Sequence, residues 1–208
     1  MTDSRRWVYV VVSAAPPALW IEELVVALTA KGWSVCIIAT PTAASWIDLD
    51  ALATTTGCLT QVHPRQPREQ ESLPRADAVI AAPMTFNTIN KWAAGASDTL
   101  ALGLLNELLC TDVPIVAAPC VKAVLRDHPA YADSVARLTS AGVSMLDPDA
   151  VKARGEDGLA TFDWPQILSA LDDVAACAGK PGASGERRLG HRAPDGHEPE
   201  DDASLARP

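Results

Sequence analysis

Short apolar runs rich in β-branched residues recur along this chain, and amphipathic stretches separate them. Trp7 to Ser13 is the first such run, and its unbroken apolar character predicts a strand buried on both faces. Pro16 and Pro17 then open a helix, where a missing N–H costs nothing. Leu19, Trp20, Leu24, Val25 and Leu28 follow at helical spacing, with Glu22 and Glu23 in the first turn, where the helix dipole favours acids. Lys31-Gly32 closes the helix, and Ser34 to Thr40 reads as a second strand. The start of the chain is therefore a β-α-β unit, the element from which parallel sheets are built.

The alternation continues to residue 178. Thr42–Leu52 reads as a helix, Cys58–Val62 as a short strand, and His63–Leu73 as a proline-bearing polar loop. Strands are expected at Ala76–Ala82 and Val113–Ala118, each ended by a proline, and at Val143–Leu146. Helices are expected at Phe86–Ala96, Asp98–Cys110, Tyr131–Ala141 and Trp164–Cys177. The class is α/β: an open, mostly parallel sheet with helices on both faces. Residues 1–178 form the folded domain. Residues 179–208 hold five glycines and four prolines with few large apolar side chains, a composition expected to be disordered, and His191 and His197 lie within it.

Composition narrows the function. Over 208 residues the chain is 48% hydrophobic and carries a net charge of −9, which disfavours nucleic acid as a partner. Cys36, Cys58, Cys110, Cys120 and Cys177 are odd in number and form no C-x-x-C, so a reducing, cytoplasmic setting without disulfides or a metal site is expected. No apolar stretch reaches the ~18 residues of a membrane span. Ser4-Arg5-Arg6-Trp7 and the run behind it mimic an export signal, but the run is short and Pro16-Pro17 follows at once, so a first buried strand is the better reading.

Ligands of open α/β sheets bind at the carboxyl ends of the strands. The first strand-to-helix junction, Ser13-Ala14-Ala15-Pro16-Pro17, holds no glycine, and neither G-x-G-x-x-G nor the P-loop pattern occurs anywhere. The second, Thr40-Pro41-Thr42-Ala43-Ala44-Ser45, carries three hydroxyls. The third, Ala82-Pro83-Met84-Thr85-Phe86-Asn87-Thr88, clusters Thr and Asn at a helix start. Helix capping is the better reading of the second junction, and at the third it explains the residues nearly as well as ligand binding does.

The stretch Leu73–Leu100 resembles the homo-oligomeric flavin-containing cysteine decarboxylases. Pro83 to Thr88 looks like a degenerate copy of that family's P-A-S-A-N-T motif. Lys91, Ala93, Gly95, Asp98 and Leu100 match the pattern that follows it, and Thr40, Ala43, Trp46 and Ile47 match the family's second junction. The resemblance runs over roughly residues 7–147. It implies a Rossmann-like flavoprotein fold, FMN as cofactor, and Ser13, Thr40, Thr85, Phe86, Asn87 and Thr88 around it. It also implies thiol oxidation by the flavin followed by loss of CO₂, and assembly as a trimer or a dodecamer of trimers, for which Trp20, Trp46 and Trp92 are interface candidates.

The departures from that family bear on activity. Ala14 and Ala15 stand where it has Gly-Ser. Its catalytic His falls on Glu69, with His63 as the candidate substitute base. Pro119–Arg126 replaces its substrate-carboxylate motif, with Lys122 in the place of the Asn. Asn87, His63 and Lys122 are the candidate catalytic residues, and Lys122 with Arg126 are candidates to pair with an anionic small-molecule or peptide substrate. Three functions stay open: a flavoprotein doing different flavin chemistry, a non-catalytic regulatory or scaffold homologue, and a decarboxylase that uses His63.

Overall fold

The structure, a computed structural model, describes residues 5–65, 73–155 and 157–178. Glu69 and the 179–208 tail lie outside the described residues. In chain order the elements are β1 (Arg6–Val12), a 3₁₀ turn (Pro16–Trp20), α1 (Ile21–Ala30), β2 (Trp33–Ala39), α2 (Pro41–Ala44), α3 (Leu49–Thr56) and β3 (Leu59–Gln61). Then come β4 (Ala78–Met84), α4 (Phe86–Ala93), α5 (Leu100–Leu109), β5 (Ile115–Pro119), α6 (Ala123–Arg126), α7 (Pro129–Ser140) and β6 (Ser144–Met145). The chain closes with β7 (Lys152–Arg154), β8 (Ala160–Phe162) and α8 (Trp164–Ala178).

Six strands form one parallel sheet in the order β3-β2-β1-β4-β5-β6. The chain winds outward from β1 through β2 and β3, then returns to the other side of β1 as β4. That reversal creates a crevice at the carboxyl edge between β1 and β4. Alternate residues of each strand feed two cores. Val8, Val10 and Val12 meet Leu24, Leu28, Ile167 and Leu171 of α1 and α8 on one face. Tyr9 and Val11 share the other face with Ile89, Trp92, Leu105 and Leu138 of α4, α5 and α7. No helix among the described residues is long and apolar enough to cross a membrane.

Several element boundaries differ from expectation, each for a local reason. The single helix expected over Thr42–Leu52 is two. Thr40 caps α2 by accepting from Ala43 N at 3.3 Å, and Ser45 Oγ turns back to Thr42 O at 2.7 Å. Asp48 then caps α3, accepting from Ala51 N at 2.9 Å. β4 runs through Pro83 to Met84, because pairing there uses carbonyls. Pro83 O accepts from Ser13 N at 3.0 Å, and Met84 O accepts from Cys120 N at 2.8 Å. A proline lacks the donor only, so it can close a strand of this kind. Of the interface candidates, Trp92 is 1% exposed and lies inside the protomer, the commoner place for an aromatic residue on a helix, whereas Trp46 is 46% exposed.

The antiparallel hairpin of β7 and β8 was not expected from the sequence. It packs on the 3₁₀ turn after β1, and Gly155 faces the Trp20 indole. A Cβ on Gly155 would stand 2.6 Å from Trp20 Cζ2. Gly155→Ala is therefore expected to push the indole aside and cost about 1–3 kcal/mol, the ordinary penalty of overpacking, read as a lower urea midpoint at unchanged m.

Cys36, Cys58, Cys110 and Cys120 are free thiols. Burial pushes Cys36 up to about 12 and raises Cys58 and Cys120 as well. Because the thiolate is the reactive form, native alkylation at pH 8 is expected to label exposed Cys110 ahead of Cys58 and Cys120 and to leave Cys36 unlabelled until the chain unfolds. Peptide mapping after iodoacetamide treatment checks this.

Candidate functional site

Two adjoining cavities open at the carboxyl edge beside the β1–β4 crevice. The smaller, about 350 Å³, lies among the ends of β1, β2 and β4, with Thr40, Thr42, Asn87, Lys91 and Thr99 on its wall. The larger, about 630 Å³, lies between α4, α6 and the β7–β8 hairpin. Phe86, Val121, Leu125 and Phe162 give it an apolar body, while Lys122, Arg126, Lys152 and Asp149 supply its charges. Ala14, Thr85 and Asn87 line both cavities, so the start of α4 is the ridge between them.

The local sequence explains that ridge. Thr85 is the N-cap of α4 and accepts from Thr88 N at 3.3 Å. Behind it, Ser13 Oγ donates to Thr88 Oγ1 at 3.0 Å, and the Thr85 and Thr88 hydroxyls are 2.9 Å apart. Ser13 and Thr88 are both buried. Phe86 is half-buried and meets the His128 ring edge-on at 5.5 Å. Asn87 is exposed at the rim. Lys91 and Asp98, both on the wall of the smaller cavity, form an ion pair.

The sequence-derived candidates thus fall into three groups. Thr40, Thr85, Asn87 and Thr88 come together on the smaller cavity, and Phe86 and Lys122 line the larger one. Ser13 lines neither and sits behind Thr88. His63 stands past the end of β3, exposed, and lines neither cavity. β3 is three strands from β4, about 14 Å at ordinary strand spacing.

Sequence reasoning missed Asp149, Lys152 and Thr161, which reach the larger cavity from the hairpin and the segment before it. The Thr161 hydroxyl is buried without a partner among the described residues. Three-residue strands carry too little periodicity to be noticed, so no sequence signal pointed to them.

Arg126 forks onto Asp149, with Nη1–Oδ2 at 2.8 Å and Nη2–Oδ1 at 3.1 Å. The hydrogen bond from Arg126 holds the Asp149 carboxyl below its ordinary 3.8. A carboxyl depressed in the folded state contributes stability that is present above the unfolded value and lost as pH falls through the folded value. Asp149→Asn is therefore expected to differ from the unaltered protein above pH 3.8 and to converge with it in stronger acid. Urea midpoints taken across pH 2.5–6 check this, following the linkage. At neutral pH the edge holds Lys122, Lys152 and the Arg126–Asp149 pair, a local positive surplus on an acidic chain, which attracts anions.

These features define an α/β protein whose carboxyl-edge crevice lies at the point where strand order reverses. The Flavoprotein family model matches residues 1–176, and the chain belongs to that family. Coenzyme A biosynthesis bifunctional protein CoaBC of Mycolicibacterium smegmatis is 30% identical over 161 residues, 74% of this chain and 38% of that protein. The CoaBC of Thermococcus kodakarensis is 32% identical over 74 residues, 36% of this chain and 18% of that protein. The matches therefore span under two-fifths of either relative. A PPC decarboxylase variant complexed with pantothenoylaminoethenethiol superposes with a TM-score of 0.66 at 18% identity, covering 81% of this chain and 97% of that one. The cypemycin decarboxylase CypD superposes with a TM-score of 0.65 at 18% identity, covering 85% and 97%. The fold is that of the flavin-dependent cysteine decarboxylases.

Proposed function

We propose that this chain binds FMN at the carboxyl edge and uses it on an anionic substrate, in chemistry other than the cysteine decarboxylation named for its structural neighbours. The observation that carries this reading is the pair of adjoining cavities, one ringed by hydroxyls and an amide, the other apolar with cations, sharing the Thr85–Asn87 ridge.

The donor set fits a flavin. The Thr85 hydroxyl and the Asn87 amide suit a ribityl chain and the ring's polar edge, while Ala14, Pro16, Phe86 and Val121 offer apolar surface to a planar ring. The first turn supplies little for a phosphate. Ala15 N–H is already donated to Ser13 O at 2.9 Å, and Pro16 and Pro17 have no N–H. The phosphate would thus be held by the Thr40–Thr42 hydroxyls. When bound, the flavin supplies two-electron oxidation. Lys122 and Lys152 then draw in the substrate's anionic group, and Asn87 orients the reacting end.

One observation favours a second reading, a non-catalytic homologue: among the described residues no histidine lines either cavity. Assembly as a trimer belongs to the first reading, with exposed Trp46 beside the smaller cavity's Thr40–Thr42 wall as a candidate contact. The test is the absorbance spectrum of the purified protein with added FMN, run with a sizing column. A bound-flavin spectrum on a trimer or larger species is expected. Absence of bound flavin after FMN addition overturns the cofactor assignment.

A further inference from the structure

We propose that Ser13, Thr88 and Thr85 form a one-way hydroxyl chain that fixes the Thr85 O–H as a donor into the space where the two cavities meet, so that the ligand atom seated there is an acceptor. The ligand side of this inference rests on the carboxyl-edge FMN reading. The direction of the chain follows from the protein alone.

Ser13 heads the chain. Its hydroxyl has two partners, Thr88 Oγ1 at 3.0 Å and Met84 Sδ at 3.8 Å. A thioether is a weak acceptor, so the Ser13 proton goes to Thr88. Thr88 is 6% exposed and borders the smaller cavity, and the acceptor the protein itself places within reach of its hydroxyl proton is Thr85 Oγ1. Having taken the Ser13 proton, Thr88 has the Thr85 oxygen 2.9 Å away to receive its own.

Thr85 Oγ1 also accepts the Thr88 backbone N–H at 3.3 Å, the capping bond of α4. Its two lone pairs are then occupied, and its own proton has no acceptor among the described residues. Thr85 lines both cavities, so that proton points toward bound solvent or ligand. A hydroxyl in this state welcomes a carbonyl oxygen or an unprotonated ring nitrogen and rejects an N–H or O–H, whose approach would leave two donors facing each other. Each bond polarises the next, so Ser13 strengthens a contact it does not make. Ser13 is therefore a positioning residue, which revises its expected place among the groups touching the cofactor.

Side-chain hydroxyl NMR on the ligand-free protein tests the direction. Slowly exchanging protons are expected for Ser13 and Thr88, and a fast-exchanging one for Thr85. A slow Thr85 proton coupled to Thr88 would mean the chain runs inward and would overturn the proposal. FMN titration tests the consequence. Ser13→Ala and Thr88→Val are each expected to weaken FMN binding about 1.5- to 2-fold, because each removes the polarisation of the Thr85 contact and not the contact itself. The double variant should bind no more weakly than Thr88→Val, because the two act as a unit. Unchanged FMN affinity in Ser13→Ala, with loss in Thr88→Val, also overturns the chain. If the unaltered protein binds no FMN, the cofactor reading falls, and the NMR result still decides the direction of the chain.

Discussion

Trp92→Ala is expected to lower the unfolding free energy by about 3–5 kcal/mol, the usual range for emptying a buried aromatic site. Trp92 is 1% exposed and sits with Ile89, Leu102 and Leu105 in the core between the sheet and α4 and α5. An alanine there leaves a void that neighbours on two helices and a strand cannot all close at once. The indole Nε1 has no partner among the described residues, so its loss breaks no hydrogen bond and the penalty is one of packing. Trp92→Phe should consequently cost much less, since it keeps most of the ring and removes a buried unpaired donor. Urea denaturation followed by circular dichroism reads both, as lower midpoints at constant m. The sizing profile of folded Trp92→Ala should match that of the unaltered protein, because the ring lies inside its own protomer. A shift in assembly state would instead restore Trp92 to the interface.

Trp92 also shows where sequence reading succeeds and where it stops. Its helix was legible from the Thr85–Thr88 start and the apolar spacing behind it, and α4 duly buries Ile89 and Trp92 together. Which side of that helix faced the sheet was not legible, because an aromatic residue on a helix, though more often core, also suits an interface. The central strands were legible for the opposite reason. A run such as Trp7–Ser13 has no polar face, so it must be covered on both sides, and only a sandwiched parallel strand offers that. The α2–α3 break escaped because it is made by side-chain oxygens: Thr40, Ser45 and Asp48 bond the backbone locally and stop one helix before starting another. The hairpin escaped because its strands are too short for a period to show and its contact with Trp20 is made by a glycine, Gly155.

At the candidate site, residues that directly follow a strand converge on one edge, as reasoning from strand ends expects. Thr40, Thr85 and Asn87 converge because β2 and β4 flank β1 in a parallel sheet and all three strands stop at one edge. His63 shares that edge yet lines neither cavity, since β3 is the outermost strand on its side. Proximity in sequence to the expected base position therefore said little about reach. Ser13 was legible as a polar residue at a strand end, but its hydrogen bond to Thr88 was not, because one sequence does not display which way the Thr88 hydroxyl faces.

Asn87→Ala is expected to weaken FMN binding about 5- to 10-fold while leaving stability almost unchanged. Its side chain is exposed and makes no hydrogen bond among the described residues, so the fold has little use for it; exposed substitutions of this kind stay within about 0.5 kcal/mol. It nevertheless stands at the N-terminal turn of α4 on the wall of both cavities, where an amide offers a donor pair and an acceptor to whatever bridges them. Losing a hydrogen bond to a ligand costs about 1–1.5 kcal/mol, and roughly 1.4 kcal/mol is tenfold in affinity. The contrast with Trp92 is the useful part of the pair. Trp92→Ala should unfold early and, at temperatures where it is folded, bind FMN as before. Asn87→Ala should melt with the unaltered protein and bind poorly. Fluorescence titration of FMN and a melting curve on each variant read the two quantities separately. If Asn87→Ala binds FMN as tightly as the unaltered protein, the ridge at the start of α4 does not grip the cofactor, and the site assignment built on it fails.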